Sequence, residues 1–303
     1  SSHPLRTLSK LAEISKLSKV AIADVAKVDA VLKANIANIN DLTIPSAFTG
    51  LLDTYTGAAA GYSTRRLASS ATNLMRIRED SGDTETDIGY DSNGDLDTAA
   101  IATHCGTANG YIVTWYDQSG NSNDATQSTA GSQPQIYNGT AVITDNGKPA
   151  ISMGILRLTS FIDTQLYSFF FVNGLGNAYR TIFLRNSGAS TYLRADNANR
   201  YVIVTPTDFD FLSGSTFDGT QALNSLIVSS STTATSFQNG AQTGTISSLG
   251  GGNMKFDLLE KNMTLPGTPS TLFTQEMIFY TSDVGSTNRT GIETNINAYF
   301  QIF

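Results

Sequence analysis

The chain has 303 residues, enough to bury a large core as one big domain or as one domain with an appendage. Charged residues make up 15% and the formal net charge is −7, which argues against nucleic-acid binding, since that needs a basic face. One cysteine, Cys105, excludes an internal disulfide framework, and no apolar run reaches the length of a membrane span.

Gly (26 residues), Ser, Thr and Asn are abundant and aromatics are 9%, the profile of many short strands joined by polar turns. The start, SSHPLRT, carries no apolar signal-peptide core. The sequons at Asn138, Asn262 and Asn288 read as chance in a Ser/Thr-rich chain. A protein of this kind is expected to leave a cell only inside something else.

Composition shifts sharply near Pro45, which places a boundary at Thr43–Ser46 between an arm (1–45) and a domain (46–303). Residues 5–44 hold no Gly and no aromatic residue. Leu5, Leu8, Leu11, Ile14, Leu17 and Val20 are spaced by three, then Ile22, Val25, Val28 and Val31, then Ile36, Ile39 and Leu42. The composition reads as helix. The period does not, because steps of three at about 100° per residue fall back about 60° each and carry the apolar residues round most of a helix. A threefold-wound or extended arm fits the period, and a surface helix with a linker fits the composition. Either form leaves apolar residues that the arm cannot bury alone, so it needs a partner.

Beyond the arm, candidate strands are Leu74–Arg78, Tyr111–Trp115, Ala141–Thr144, Ala150–Met153, Ser168–Val172, Arg180–Leu184, Tyr192–Arg194, Tyr201–Val204, Leu223–Ser229, Thr235–Gln238, Met254–Leu258 and Glu276–Tyr280. Asn239-Gly240 predicts a tight hairpin onto Ala241–Thr245, since both residues tolerate positive φ. Asp95 or Asp97 caps a helix through Ala99–His104 that stops at Gly106. A last helix runs from about Ser286, with Ile292, Ile296, Tyr299 and Phe303 at helical spacing.

The segment GTANGYIVTWYDQSGNSNDATQ (106–127), with LLDTYTGAAAGYSTRRLASS (51–70) and DTETDIGYDSNGDLDTAA (83–100), resembles the N-terminal half of the catalytic domain of arabinofuranosidase B, an α-L-arabinofuranosidase. The block is also similar to one in phage virion proteins, and Ser-Lys-Val and Ala-x-Ile repeats like those of the arm precede sandwich domains there. The order of GKPAI, a run of aromatic strands, SFQNG and a closing NRTGIETNINAYF resembles the concanavalin A-like, or laminin G-like, sandwich. The resemblance implies an all-β jelly roll with short helices behind an oligomerisation arm.

A glycosidase of the usual kind needs two carboxyls flanking the scissile bond. The domain's glutamates are Glu79, Glu85, Glu260, Glu276 and Glu293, and only Glu260 and Glu276 fall in the strand-rich half. The resemblance implies a nucleophilic glutamate in an A-D-x-E-like stretch. The nearest match is Ala195-Asp196-Asn197-Ala198, with alanine where the nucleophile belongs. Asp208, Asp210 and Asp218 form a local acidic group that also reads as solvated surface. Asp91, Asn93, Asp95 and Asp97 alternate like a calcium loop, but Leu96 and Ala102 stand where that loop needs Gly and Glu, so no metal and no cofactor is implied. His104 and Cys105 lack a second pair at zinc spacing.

Tyr116, Asp117 and Gln118 are candidate sugar contacts, with Asp208 and Asp210 behind them. The competing reading makes Trp115 core and gives Asp117 to its own turn. The alanine at 198 and the unpartnered arm favour a non-enzymatic virion protein of a tailed phage: a capsid decoration, head fibre or tail fibre. Such a protein is made in the bacterial host cytoplasm. It has other virion proteins as partners through its arm, and host-surface polysaccharide as a ligand of the sandwich. A glycoside hydrolase of α-L-arabinofuranosidase type is the alternative.

The spacing of three yields a first prediction. Leu8, Leu11, Ile14, Leu17, Val20, Val25, Val28 and Val31 hold the protein in a homo-oligomer, a trimer. Mass measurement in solution should return three chains, and a monomer with an ordered arm would sink the idea.

Overall fold

The computed structural model describes residues 48–152, 154–176, 181–185, 192–195, 201–204, 209–212, 220–249, 253–263 and 271–303. The chain divides into two compact units, Ser1–Phe48 and Thr49–Phe303. The arm and its apolar repeat lie outside the described residues.

The larger unit is an all-β sandwich with short helices. Its strands are β1 (Ala58–Ser63), β2 (Met75–Glu79), β3 (Glu85–Ile88), β4 (Asn109–Trp115), β5 (Ala125–Thr126), β6 (Gln135–Asn138), β7 (Thr144–Asp145), β8 (Lys148–Pro149), β9 (Ile151–Ser152) and β10 (Ile155–Thr164). They continue as β11 (Tyr167–Gly176), β12 (Thr181–Arg185), β13 (Tyr192–Ala195), β14 (Tyr201–Val204), β15 (Phe209–Leu212), β16 (Gln221–Val228), β17 (Ala234–Gln238), β18 (Ala241–Ile246), β19 (Met254–Met263) and β20 (Thr271–Tyr280). The helices are α1 (Leu51–Thr54), α2 (Thr98–Cys105) and α3 (Gly285–Phe300).

Strand pairing gives two layers. One runs β1–β20–β11–β16–β17–β18, all antiparallel. The other runs β3–β2–β4–β5–β10–β19–β12–β13–β14–β15. β6 and β9 stitch them together, because β6 pairs with β4 and β9, and β9 pairs with β20.

The apolar run at 169–172 explains the layering. Side chains alternate across a strand. Phe169 and Phe171 face the inter-sheet core with Trp115, Ile77, Leu156, Phe256 and Phe279. Phe170 and Val172 face the other way and pack with Ile278, Ile292, Ile296 and Phe300. A strand covered on both sides reads as continuous apolar sequence. Phe169 stacks on Phe171 at 4.4 Å and on Phe279 at 4.1 Å between ring centroids. Such pairs contribute roughly 0.5–1.5 kcal/mol each beyond burial.

Local signals place the connections. Asn239 and Gly240 take φ of 52° and 77° and turn β17 into β18. Asp97 Oδ1 accepts from Ala100 N and caps α2, which ends at Gly106 with φ 58°. The expected apolar face of the last helix needs one correction. Helix α3 stops at Phe300, because Gln301 turns left-handed, so Phe300 fills the core position and Phe303 lies beyond the helix, 56% exposed.

A charge sits under that helix. Glu276 is 0% exposed on the face of β20 that α3 covers. Arg65 meets it with Nε to Oε2 at 2.7 Å and Nη2 to Oε1 at 3.0 Å, and Ser63 Oγ donates to Oε2 at 2.7 Å. Arg65 Nη1 then reaches Asn295 Oδ1 on α3 at 3.0 Å. Its guanidinium carbon lies 4.9 Å from the centroid of the Tyr299 ring. Breaking a buried pair strands a charge and costs about 3–5 kcal/mol, whereas replacing both partners with apolar groups is often close to neutral. Glu276→Ala should therefore lower the urea-unfolding free energy by about 3–5 kcal/mol. Arg65→Met combined with Glu276→Leu should cost less than either single change. A loss below about 1 kcal/mol for Glu276→Ala would remove the pair from the stability argument.

Candidate functional site

The turn after β4 spends its polar groups on the fold. Trp115 is fully buried, leans on Tyr62 at 5.6 Å and donates Nε1–H to Ser63 O at 3.2 Å. Asp117 Oδ1 accepts from the backbone N–H of Gly61 (2.8 Å) and Ser119 (2.9 Å). Its Oδ2 accepts from Ser119 Oγ (2.7 Å) and from Asn123 N (3.0 Å). Gln118 is buried: Oε1 accepts from Leu67 N at 2.7 Å and Nε2 donates to Arg65 O at 3.0 Å. Tyr116 points outward, and its hydroxyl donates to Asp87 Oδ1 at 2.7 Å. Burial, and then that hydrogen bond, push the Tyr116 phenol up to about 12. A cavity of about 340 Å³ lies between this turn and residues 70–73. Of the residues named from the sequence as sugar contacts, only Tyr116 shows a ring face there; the Asp117 and Gln118 side chains are held by backbone.

Three of the described glutamate side chains, Glu79, Glu276 and Glu293, are also committed. Glu79 takes hydrogen bonds from Ser81, Gly82 and Thr84, which hold its carboxyl well below the usual range, the Ser81 hydroxyl foremost. Glu85 lies 4.0 Å from Arg76. Glu276 belongs to Arg65, and Glu293 to Ser225 and Arg289. Glu276 is therefore not a free catalytic carboxylate. Glu260 sits on β19 opposite Ile155, and Asp210 on β15 opposite Ile203. Asp196, Asn197, Ala198, Asp208 and Asp218 lie outside the described residues.

The calcium-like spacing resolves into a turn. Asp91 Oδ1 accepts from Asn93 N and Asp95 N, and Asp97 caps α2. Among the described residues, no group of three or more His, Cys, Asp or Glu is placed to hold a metal ion. His104 Nε2 lies 3.2 Å from Thr84 O, and burial pushes the Cys105 thiol up to about 11.

Sequence reasoning passed over a polar row on the inner face of the first layer. Asn224 pairs with Phe171 and with Gln238 in register, and Asn173 with Thr274. Paired residues share a face, so this row continues the face of Phe171 and Met277, which line the inter-sheet core. Gln238 Nε2 donates to Asn224 Oδ1 at 3.1 Å, and Asn224 Nδ2 donates to Asn173 Oδ1 at 2.8 Å. At the inner end, Asn173 Nδ2 and Thr274 Oγ1 have no partner, on residues 2% and 0% exposed. The only trace in the sequence is Asn173 closing FFFVN and Asn224 interrupting ALNSL.

The sequence model of the family described as alpha-L-arabinofuranosidase B, catalytic, matches residues 52–245. Three solved structures share the fold. A GH54 α-L-arabinofuranosidase soaked with a cyclic sulfate inhibitor superposes with TM-score 0.63 at 16% identity. A mutant of a GH54 α-L-arabinofuranosidase soaked with 4-nitrophenyl α-L-arabinofuranoside gives 0.64 at 17%. An arabinofuranosidase complexed with arabinofuranosyl-α-1,2-xylobiose gives 0.59 at 18%. Each superposition covers 82% of this chain and 65% of the other, so the chain spans about two-thirds of the length of these structures. No curated protein sequence matches the chain. The family match overturns the expectation of a non-enzymatic tailed-phage capsid decoration, head fibre or tail fibre, because the domain it identifies is a glycosidase catalytic domain. On that match, which runs from α1 to the end of the β17–β18 hairpin, the chain belongs to the α-L-arabinofuranosidase B catalytic-domain family.

Proposed function

We propose that the sandwich is a glycoside hydrolase module of α-L-arabinofuranosidase type, acting on terminal α-L-arabinofuranosyl groups. The observation that carries this reading is the family match over residues 52–245, supported by a fold shared with arabinofuranosidases over 82% of the chain.

The chemistry asks for a carboxylic acid that protonates the leaving oxygen and a carboxylate that attacks or activates water. Glu79, Glu276 and Glu293 are held by hydrogen bonds or ion pairs and cannot swing to a substrate without stranding a partner. The remaining candidates are Glu260 on β19, Asp210 on β15, and Asp196 and Asp208, which follow β13 and precede β15 in sequence. In the pairing order of the second layer, β19, β12, β13, β14 and β15 are consecutive neighbours, so Glu260 and Asp210 stand on strands of the same layer.

Release of 4-nitrophenol from 4-nitrophenyl α-L-arabinofuranoside tests the reading. The wild type should hydrolyse it. At least one of Glu260→Gln, Asp196→Asn, Asp208→Asn and Asp210→Asn should lose about a hundredfold or more in kcat while staying folded, the scale of a lost general acid or base. A folded protein that releases nothing from aryl arabinofuranosides or from arabinose-bearing polysaccharide would overturn it.

A further inference from the structure

We propose that the cavity beside the turn after β4, walled by Tyr116 on one side and by Ser70, Thr72 and Asn73 on the other, binds a neutral polysaccharide chain. Place and ligand class both come from geometry, so the site goes beyond the glycosidase reading and does not depend on it.

The cavity measures about 340 Å³, within the range of about 300–1,000 Å³ that small-molecule sites occupy. Its mouth is open. Ser70, Thr72 and Gly120 are exposed, and a Cβ built on Gly120 would meet nothing within 4 Å. Such an opening admits a chain that lies across the surface as well as a single ring.

One wall is rigid. Asp117 and Gln118 line it, and main-chain groups hold both side chains. Tyr116 stands on the same wall. Trp115 before it is fully buried, so strand alternation turns the Tyr116 ring outward. The Tyr116 hydroxyl donates to Asp87 Oδ1 at 2.7 Å. Arg76 fixes that carboxylate, with Nε to Oδ1 at 2.7 Å and Nη2 to Oδ2 at 3.1 Å. The ring is therefore pinned at its far end before a ligand arrives. A tyrosine offers a broad, stiff contact face, and pinning it removes part of the ordering cost of binding. Its phenol oxygen, having given its hydrogen to Asp87, still accepts.

The other wall supplies uncommitted hydrogen-bonding groups. Among the described residues, none bonds to the side chains of Ser70, Thr72 or Asn73. Their neighbours are used by the fold: Ser69 Oγ donates to Asp53 Oδ1, and Ser119 Oγ to Asp117 Oδ2. Two hydroxyls and an amide, each able to donate and to accept, thus face a fixed aromatic ring across one cavity.

The lining selects the ligand class. Ser70, Thr72 and Asn73 carry no charge, and no basic side chain is among the described lining residues to attract an anion. The carboxylate in the lining, Asp117, already accepts from Gly61 N, Ser119 N, Ser119 Oγ and Asn123 N. It has no lone pair to spare for a cation or for proton transfer, so the site binds and does not cleave. A ligand with a hydroxyl rim and an apolar C–H face matches both walls, the C–H face on the Tyr116 ring and the hydroxyls on Asn73 and its neighbours. A neutral sugar chain has that make-up.

Titration of uniformly labelled protein tests the site. The probes are neutral arabino-, xylo-, gluco- and manno-oligosaccharides, with acidic galacturono-oligosaccharides as the charged comparison. The signals are the backbone amides of 70–73 and 116–120 and the Asn73 side-chain amide. At least one neutral series should give saturable shifts centred on these residues. Tyr116→Ala should weaken that ligand about tenfold, which is about 1.4 kcal/mol, whereas Tyr116→Phe keeps the ring and should stay within about threefold. Asn73→Ala removes a side chain that holds nothing in the fold, and should weaken binding about fivefold with thermal stability unchanged. Should Tyr116→Ala fail to fold, Asn73→Ala decides. No shift at these signals with any neutral oligosaccharide, shifts with the acidic series alone, or unchanged affinity in Asn73→Ala and Tyr116→Ala overturns the site. Binding is read without turnover. A protein that binds but does not hydrolyse the aryl arabinofuranoside loses the enzymatic reading and keeps the site, and one that hydrolyses without these shifts loses the site alone.

Discussion

The structure depends on keeping one buried charge satisfied. Glu276 lies in β20, a strand covered by the inter-sheet core on one face and by α3 on the other. A carboxylate left unpaired there would cost about 3–5 kcal/mol, a large share of a domain's net stability. Arg65 neutralises it in a bidentate pair, the geometry that a guanidinium fits best. Arg65 must then be held itself. Its carbonyl accepts from Gln118, its N–H reaches Ser63 Oγ, and its outer face meets Asn295, Tyr299 and Phe300. One ion pair thus joins the segment after β1, the turn after β4, the centre of β20 and the C-terminal helix.

This hub gives the WYDQSG stretch a physical meaning. Trp115 Nε1 and Gln118 Nε2 donate to the carbonyls of Ser63 and Arg65, on either side of the buried pair. Asp117 gathers N–H groups from β1 and from its own turn. The turn is a clasp that fixes the backbone bearing Arg65. A stretch with that duty tolerates little change, because each side chain is matched to a particular main-chain group. It is therefore a strong marker of fold and a weak marker of chemistry.

The parts legible in the sequence were those set by local physics. Asn239-Gly240 announces its hairpin through positive φ, and Asp97 and Gly106 announce both ends of α2. Trp115 inward and Tyr116 outward follow from strand alternation. Strand β1 is missed because AAAGYS has neither β-branched residues nor a polar face; both its sides are nearly buried. Strand β10 is missed because its register with β19 shifts between Arg157 and Ile162, which breaks the period of two. The last helix was read one turn too long, because the αL residue that ends it is a glutamine rather than a glycine. Arg65 and Glu276 stand 211 positions apart, and nothing local pairs them. The inner-face row is less legible still, since it exists only once four strands are in register.

Two kinds of buried polar group therefore coexist here, and their hydrogen-bond accounts separate them. Gln118, Gln275 and Glu276 are closed: their described hydrogen bonds lead back into the protein. Closed groups tie the fold together, and replacing one leaves its partners stranded. Asn173 and Thr274 are open. Removing the Thr274 hydroxyl strands no partner, whereas removing Asn173 would strand Asn224 Nδ2. The sequence cannot make this distinction, because Gln118 and Asn173 are both amides beside aromatic strands. Only the count of donors and acceptors in three dimensions separates the two kinds, and in this sandwich the closed groups stand on the conspicuous motif while the open atoms stand on strands that look like plain core.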